Sequence, residues 1–304
     1  MAEATQSLPD PPDSVGDRYH LGKSVGAGSS GTVYLAEDRQ TGRPCALKIR
    51  EAKDKEQPVR FIAEAQDMKR LRHPRLVPVL DHGNDGRLYW YVMPYYAKGC
   101  LRDRIKDTGP LPPEQALDYV FQVLEGLHAV HEAGLVHRDV KPHNVLLGDD
   151  DRALLADFGL ARHLHGGVPY RTRTDQSMGT PNYRAPEQAV DAANVDHRAD
   201  IYGVGATLYF LLTARRPGFL YMVPPDDPVM ALVPEELRDF VLKCMAFDPG
   251  ERWPDARSCA EEITRLLDAM PSRADAPISD EWMRRFDSLG KQGWLNRLWA
   301  WMRG

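Results

Sequence analysis

The stretch His137-Arg138-Asp139-Val140-Lys141-Pro142-His143-Asn144, followed shortly by Asp157-Phe158-Gly159, decides the interpretation of this chain. It gathers two acids, an amide, a lysine and an arginine into one short block. Apolar runs flank the longer stretch, Gly134–Val136 before it and Val145–Leu147 after it. The polar residues are therefore expected on loops between short apolar segments, in a site that binds divalent metal and handles phosphate.

Four side chains of this block have chemistry that fits such a site. Asn144 and Asp157 offer oxygen ligands for Mg²⁺, a hard cation that prefers oxygen and usually arrives with substrate phosphates. Asp139 can accept a hydroxyl proton, and Lys141 can neutralise charge on a phosphoryl group. The block resembles the catalytic and metal-binding loops of eukaryotic-type protein kinases. The resemblance implies Asp139, Lys141 and Asn144 as catalytic residues.

Composition limits the class of protein. The chain has 304 residues and a net charge of −5, which argues against a general nucleic-acid binder. Its four cysteines are scattered without CxxC spacing, which favours reduced thiols in a cytoplasmic protein. Met1–Asp13 is polar and proline-rich without the features of a secretory signal, and no apolar run is long enough to span a membrane. Residues 1–17 are predicted to be a disordered tail.

A glycine-rich stretch, Gly26-Ala27-Gly28-Ser29-Ser30-Gly31-Thr32-Val33, matches the pattern GxGxxGxV. A dinucleotide-binding fingerprint would require these glycines to open a helix. Instead Thr32–Ala36 is rich in strand formers, and Cys45–Ile49 follows it after a turn. A strand, glycine loop and strand resemble the phosphate-covering loop of a kinase. The resemblance assigns nucleotide contacts to Gly26, Ala27, Gly28, Ser29, Ser30, Gly31 and Val33.

Cys45-Ala46-Leu47-Lys48 resembles the kinase motif that carries the lysine contacting the α- and β-phosphates of ATP. Ala46 and Lys48 are assigned to the nucleotide site on that basis. Residues 60–71 have helical periodicity, and Glu64 within them is the candidate ion-pair partner of Lys48. On composition alone Glu64 would be a solvated helix charge, and only the resemblance favours the pair.

Two further strands are predicted at Leu76–Leu80 and Leu88–Met93, with a turn at Asp81–Gly86. Val92-Met93-Pro94-Tyr95-Tyr96 resembles the hinge that binds adenine in kinases. Adenine contacts are expected from Met93, from the Pro94 carbonyl and from the Tyr96 backbone, since proline has no N–H to donate. Leu146 is assigned to the same nucleotide site. Residues 114–133 are predicted to form a long amphipathic helix.

The segment Leu160–Arg184 is polar and contains four candidate phosphorylation sites, Thr172, Thr174, Ser177 and Thr180. Phosphate on Thr172 or Thr174 would pair with Arg138 and order the segment. The alternative is a surface loop without a regulatory role. Gly179–Glu187 has the form GTxxYxAPE, which with Lys141 resembles serine/threonine rather than tyrosine kinases. The resemblance also implies that Thr180 bonds Asp139 and Lys141.

Two structural residues are expected in the second half of the chain. Asp200 is predicted to be buried and to hold the backbone of the catalytic loop. Glu187 is predicted to pair with Arg252.

The chain departs from the family in two regions. Ala214–Val233 is shorter than the family segment that helps to dock protein substrates, which leaves docking uncertain. From Glu281 onward the tail carries four of the six tryptophans and more basic than acidic residues. Three interpretations of this tail remain: it packs on the domain, it binds a partner, or it touches an anionic membrane surface.

Together these observations predict an α+β, two-lobed protein kinase fold. The N-lobe spans 18–93 and is rich in β-structure, the C-lobe spans 97–268 and is mostly helical, and 269–304 form a linker and a Trp-rich tail. The expected function is transfer of the ATP γ-phosphoryl group to Ser/Thr hydroxyls of protein substrates. ATP and Mg²⁺ are the expected cofactors, with Mn²⁺ as an alternative ion, held by Asn144 and Asp157. The rival hypotheses are a pseudokinase that only binds and a kinase for small molecules.

Overall fold

The computed structural model describes residues 12–28, 31–52, 57–84, 87–157, 162–163, 181–191, 194–224, 226–270 and 279–289. The chain forms two compact units. The first comprises the chain up to Arg72 together with Val77–Ala97, and the second comprises His73–Leu76 and most of the chain from Lys98 onward. The first is built on a sheet and the second mainly on helices, which confirms the predicted fold class.

Among its described residues, the first unit contains one six-stranded antiparallel sheet and one helix. The strand order is β1-β2-β3-β4-β6-β5, and every neighbouring pair is antiparallel. The helix α1 covers Gln57–Arg70. The strands are β1 Ser14–Val15, β2 Tyr19–Gly28, β3 Gly31–Asp38, β4 Arg43–Glu51, β5 Asp81–Asn84 and β6 Leu88–Pro94.

Alternation of buried and more exposed residues along β3 explains why this segment is a strand with one face on the core. Tyr34 lies on its buried face and joins a cluster that also contains Tyr19, Leu47 and Trp90. The rings of Tyr19 and Trp90 meet edge to face at 5.5 Å between centroids. This apolar layer fixes the register of the strands that carry the glycine-rich hairpin and Lys48.

The structure corrects two predictions in the first unit. Disorder through residue 17 is wrong, because Ser14–Val15 pairs with Tyr19 and His20 and the Val15 side chain is buried. A strand at residues 76–80 is also wrong: the strand is Asp81–Asn84, where a turn was predicted. Backbone pairing with β6 makes this a strand despite its polar side chains, whereas Pro78 interrupts the more apolar stretch before it.

Among its described residues, the second unit contains seven α-helices and two small antiparallel sheets of two strands each. The predicted long helix is confirmed as α3 at Pro113–Glu132, which packs against α5 and α7. The other helices are α2 Leu101–Thr108, α4 Glu187–Val190, α5 Arg198–Thr213, α6 Glu235–Cys244, α7 Ala256–Asp268 and α8, residues 279–289. The pairs are β7 Leu135–Val136 with β10 Arg162–His163, and β8 Val145–Leu147 with β9 Ala153–Leu155.

The apolar helix α5 is buried along nearly all of its length and supports the catalytic stretch directly. A side chain at Gly203 would place its Cβ 2.7 Å from the carbonyl oxygen of Val140, so only glycine permits this close approach. Between α5 and α6 the described residues form only short 3₁₀ turns, Leu220–Met222 and Met230–Leu232. This agrees with the predicted shortening of the docking segment.

The first part of the C-terminal tail is a helix on the second unit. In α8, Phe286 is buried, and its ring lies 5.8 Å from that of Phe121 in α3. The packing interpretation therefore holds for residues 279–289, while residues 290–304 lie outside the described part. No helix in the described ranges combines the length and apolar character that a membrane span requires.

Candidate active site

One buried carboxylate binds the backbone of the catalytic stretch. Asp200 is 1% exposed, and its two oxygens accept the backbone N–H groups of His137 at 2.9 Å and Arg138 at 2.6 Å. His131 Nε2 lies 2.8 Å from the same carboxylate. Burial alone would raise the pKa of Asp200, but the hydrogen bond to His131 and the surrounding donors outweigh it and hold the pKa below its usual value. The predicted role of Asp200 in holding this backbone is confirmed.

These bonds stabilise a backbone conformation that a non-glycine residue seldom adopts. Arg138 has φ of 69°, and Asp157 has φ of 65°. Such residues cost energy and persist where the surrounding structure fixes them, which is common at active sites. For Arg138, the two N–H bonds to Asp200 provide that constraint, and Gln188 adds a third by donating from Nε2 to the Arg138 carbonyl at 2.9 Å.

Asp139 lies at the centre of a compact polar network. Its Oδ2 accepts from Lys141 Nζ at 2.6 Å and from Asn144 Nδ2 at 2.9 Å. Asn144 Nδ2 also donates to the Asp139 carbonyl at 2.8 Å. The Asp139 and Lys141 side chains are 16% and 17% exposed, so both are held in place yet accessible from solvent. This combination suits a base that meets a hydroxyl group entering from outside.

The His137 side chain connects the catalytic loop to the segment before Asp157. Its ring is fully buried, with Nδ1 accepting from the Asp139 N–H at 3.2 Å and Nε2 lying 3.0 Å from the Ala156 carbonyl. Since Nδ1 accepts, the proton is assigned to Nε2, which then donates to that carbonyl. His137 therefore ties the catalytic loop to the residue that immediately precedes Asp157.

The hairpin of β8 and β9 brings together the two predicted metal ligands. Val145 pairs with Leu155, and the Ala156 N–H donates to the Asn144 carbonyl at 2.7 Å, so Asn144 and Asp157 flank the open end of the hairpin. The Asn144 NH₂ group donates to Asp139, which leaves Oδ1 as the atom that could bind a metal ion. An amide oxygen and a carboxylate fit Mg²⁺ chemically.

No cluster of three His, Cys, Asp or Glu side chains suited to a metal exists among the described residues. A Mg²⁺ ion held by one or two protein groups completes its shell with waters and substrate phosphates, so a larger protein cluster is not needed.

The glycine-rich stretch forms a hairpin in the first unit. Gly26 pairs with Val33 and Gly28 with Gly31, which supports the kinase-like loop and excludes a helix opening at these glycines. Gly31 has φ of 124°, and a Cβ there would lie 2.5 Å from the Ile49 carbonyl oxygen, so the position requires glycine. Ala27 continues β2, while Ser29 and Ser30 lie outside the described residues.

Lys48 lies in β4 opposite Val33 on one side and Tyr91 on the other. Its side chain is largely buried, with Nζ 5.9 Å from the centre of the Tyr91 ring. Ala46 pairs with Met93 in the same sheet, and β6 ends at Pro94 before Tyr96.

Several predicted residues fall outside the described part of the structure. These are the Glu64 side chain, Phe158 and Gly159, and the candidate phosphorylation sites Thr172, Thr174, Ser177 and Thr180. The Lys48–Glu64 pair, the Thr180 bonds and the pairing of Arg138 with phosphate therefore stay predictions. Arg138 Nη2 donates to the Val195 carbonyl at 3.0 Å.

The predicted pair of Glu187 and Arg252 is confirmed. It is bidentate, with distances of 2.7 Å and 2.8 Å, and the Arg252 side chain is fully buried. Sequence reasoning missed His131 and Gln188. His131 lies in a helix predicted as plain core, and Gln188 follows the recognised Ala-Pro-Glu sequence without any signal of its own.

Comparison with known proteins places these features in a family. Residues 19–267 match the family model described as protein kinase domain. The chain is 37% identical over 295 residues to serine/threonine-protein kinase PknL of Mycobacterium tuberculosis, covering 91% of this chain and 73% of that protein. It is 33% identical over 288 residues to serine/threonine-protein kinase PknB of Mycobacterium leprae, covering 88% of this chain and 46% of that protein.

Proposed function

Because the chain belongs to the protein kinase family, as a bacterial member of the eukaryotic type, we propose that it transfers the γ-phosphoryl group of ATP to protein serine and threonine hydroxyls. The observation that carries this proposal is the network of Asp139, Lys141 and Asn144 on a loop fixed by Asp200. A protein that had only kept the fold for binding would have no need for this set of charged groups beside an accessible carboxylate.

In the proposed mechanism the chain supplies position and charge more than covalent chemistry. Asp139 orients the acceptor hydroxyl and accepts its proton. Lys141, already within 2.6 Å of Asp139, stabilises charge on the phosphoryl group during transfer. Asn144 and Asp157 hold Mg²⁺, or Mn²⁺ in its place, which neutralises phosphate charge when bound.

The nucleotide contacts in this proposal are those that the family resemblance implies. Lys48, with Glu64 as its expected partner, positions the α- and β-phosphates, and the Gly26–Val33 hairpin supplies backbone N–H groups to them. The adenine is assigned to Ala46, Met93, Pro94, Tyr96 and Leu146. In this scheme residues 18–268 form the catalytic domain, and 269–304 are a linker and tail.

Regulation through the segment before Ala185 is part of the proposal. Phosphate on Thr172 or Thr174 would add charge and strong acceptors beside Arg138, whose N–H is already bound to Asp200. Autophosphorylation would then couple activity to the geometry of the catalytic loop. A cytoplasmic location is also proposed, since all four cysteines are buried free thiols, which suits a reducing compartment.

The test compares Asp139→Asn with Asp149→Asn, an equivalent change at an exposed position in the turn between β8 and β9. Purified protein is incubated with Mg²⁺, labelled ATP and a generic Ser/Thr protein substrate. We expect Asp139→Asn to lower kcat by about 10²–10⁴-fold, since a general base of this kind contributes that much, and Asp149→Asn to match wild type. Mass spectrometry should locate autophosphorylation at Thr172 or Thr174.

Each alternative has its own signature in the same assay. Equal rates for wild type and Asp139→Asn would reject Asp139 as the base. ATP binding without any transfer by wild type would indicate a pseudokinase. Transfer to a small molecule but to no protein would contradict the substrate class.

A further inference from the structure

The helix α8 packs against α3. Phe286 packs against Phe121 and against His128, whose ring centre is 4.9 Å away. The Trp282 ring centre lies 4.7 Å from that of Phe121. Phe121 and His128 are two turns apart on α3, so α8 covers one continuous stripe of that helix.

The same interface contains a buried carboxylate shared by two arginines. The Glu125 side chain is fully buried, with Oε1 accepting from Arg285 Nε and Oε2 from Arg75 Nε, each at 2.7 Å. The Arg285 guanidinium also lies 5.3 Å from the Phe121 ring centre and 5.1 Å from that of Trp282. A buried carboxylate requires such partners, so α8 and the segment His73–Leu76 are tied to the same charge.

Arg75 in turn contacts the strand that leads to the proposed metal ligand. Its carbonyl accepts the Leu155 N–H at 2.8 Å, and Leu76 forms a parallel bridge with Leu155. Gly126 allows this segment to lie against α3, because a Cβ there would be only 3.0 Å from the Arg75 carbonyl oxygen. Leu155 is the last residue of β9, two positions before Asp157.

We propose that α8 is a positioning element of the active site, and that Arg285 acts through Glu125 and Arg75 on the end of β9. Arg285 fixes one oxygen of Glu125, Glu125 fixes the Arg75 side chain, and the Arg75 backbone holds Leu155. Because the position of Leu155 at the end of β9 is fixed, the position of Asp157 two residues later is restricted as well. The proposal rests on the proposed function only in assigning Asp157 to Mg²⁺.

The test compares Arg285→Ala with Asp287→Ala on the same helix. Asp287 pairs with Arg257 of α7, so its replacement removes a different contact of α8 and keeps the proposed chain of contacts from Arg285 to Arg75. Hydrogen exchange is followed at the Leu155 and Ala156 amides, together with kcat and the Mg²⁺ concentration that gives half-maximal rate. Arg285→Ala should speed exchange at Leu155 by about tenfold and raise that Mg²⁺ concentration several-fold. Asp287→Ala should change neither.

The conservative variant Arg285→Lys separates positioning from folding. It keeps a cation beside Glu125 and should restore at least part of the Leu155 protection. Unchanged exchange in Arg285→Ala, or an equal rise in Asp287→Ala, would overturn the proposal and leave α8 as simple packing. If wild type proved inactive as a kinase, the exchange comparison would still decide this inference.

Discussion

At the scale of single residues, two buried carboxylates of the second unit each bind several donors, and one of them holds the backbone of the catalytic loop. Asp200 binds two consecutive backbone N–H groups and His131, and Glu125 binds two arginines. Removing a partner from either carboxylate would leave a buried charge unpaired, which costs more free energy than a hydrogen bond normally contributes. Substitutions of these partners are therefore expected to be destabilising. The bonds to Asp200 set the geometry of the loop before any substrate binds.

His73 provides a prediction about pH. Burial, and then the charge of Arg75 and the proximity of His128, lower the pKa of His73 from its usual 6.5 to about 4. Between these values the unfolded chain binds a proton that the folded chain refuses, so stability should fall as pH is lowered from 6.5 towards 4. The contribution of His73 to this loss is about 3 kcal/mol at most.

The measurement is urea unfolding of wild type and His73→Asn between pH 7.5 and pH 4.5. In wild type, the Arg75 N–H donates to His73 Nδ1 at 3.2 Å. Asparagine keeps an acceptor for this N–H, but its side chain does not titrate. The variant should lose less stability than wild type on acidification. His20→Asn, at an exposed position, is the control, and parallel profiles for wild type and His73→Asn would contradict the argument.

At the scale of elements, short pieces of backbone are fixed by side chains from distant parts of the chain. The helix α4 has no buried residue of its own, yet Glu187 at its start is held by Arg252. Arg252 also donates to the carbonyls of Ala246, Phe247 and Arg198. One guanidinium thus joins α4, the start of α5 and the loop after α6, a task that requires its five donors in a planar arrangement.

Arg252→Lys should therefore lower the free energy of unfolding by about 2–3 kcal/mol, because lysine cannot reproduce the bidentate pair and leaves buried carbonyls without donors. The control is Arg87→Lys, the same change in an exposed pair with Glu51, which should cost about 0.5 kcal/mol or less. Chemical denaturation measures both. Equal small losses would show that the buried pair adds little beyond a surface ion pair.

At the scale of the whole molecule, the match to the family model ends at residue 267, within α7, and the chain continues beyond it. The helix α8 returns to the second unit and buries Phe286 against α3. For residues 290–304, which are outside the described part, binding of a partner and contact with an anionic membrane stay predictions from sequence. The two parts of the tail therefore need separate tests.

A chain ending at residue 278 should lose about 3 kcal/mol of stability, the usual cost of removing a buried phenylalanine and its neighbours. A chain ending at residue 289 keeps α8 and should unfold at the same denaturant concentration as the full chain. Equal stability of all three chains would contradict the packing interpretation. Destabilisation of the chain ending at 289 would show that the remaining residues contribute as well.

Much of the site could be predicted because its chemistry is encoded in contiguous residues. Roles for Asp139, Lys141, Asn144 and Asp157 were predicted from their chemistry and spacing and stay predictions. The contacts of Asp200 and Arg252, predicted from the resemblance to the family, are confirmed. Gln188, His131 and the trio of Arg75, Glu125 and Arg285 were not predicted. These residues are ordinary in their local sequence, and their importance arises from partners far along the chain.

In the fold, too, elements that depend on local sequence were predicted, and elements that depend on distant partners were not. Periodicity predicted α3 correctly, because burial on one face determines that helix. The run of strand formers after the glycines predicted the hairpin correctly. Sequence reasoning misplaced the edge strand Asp81–Asn84 and missed β1 at Ser14–Val15, because backbone pairing with a neighbour, rather than side-chain pattern, makes these segments strands.

By itself, the sequence determined the family of this protein and the position of its long helix α3, since motif residues and helical periodicity are local properties of the chain. The tertiary structure decided which residues hold the catalytic loop, where the sheet begins and where the first part of the tail packs. The physical reason is that a buried charge or an unpaired backbone group must find its partner in space, and nothing in the adjacent sequence specifies where that partner lies.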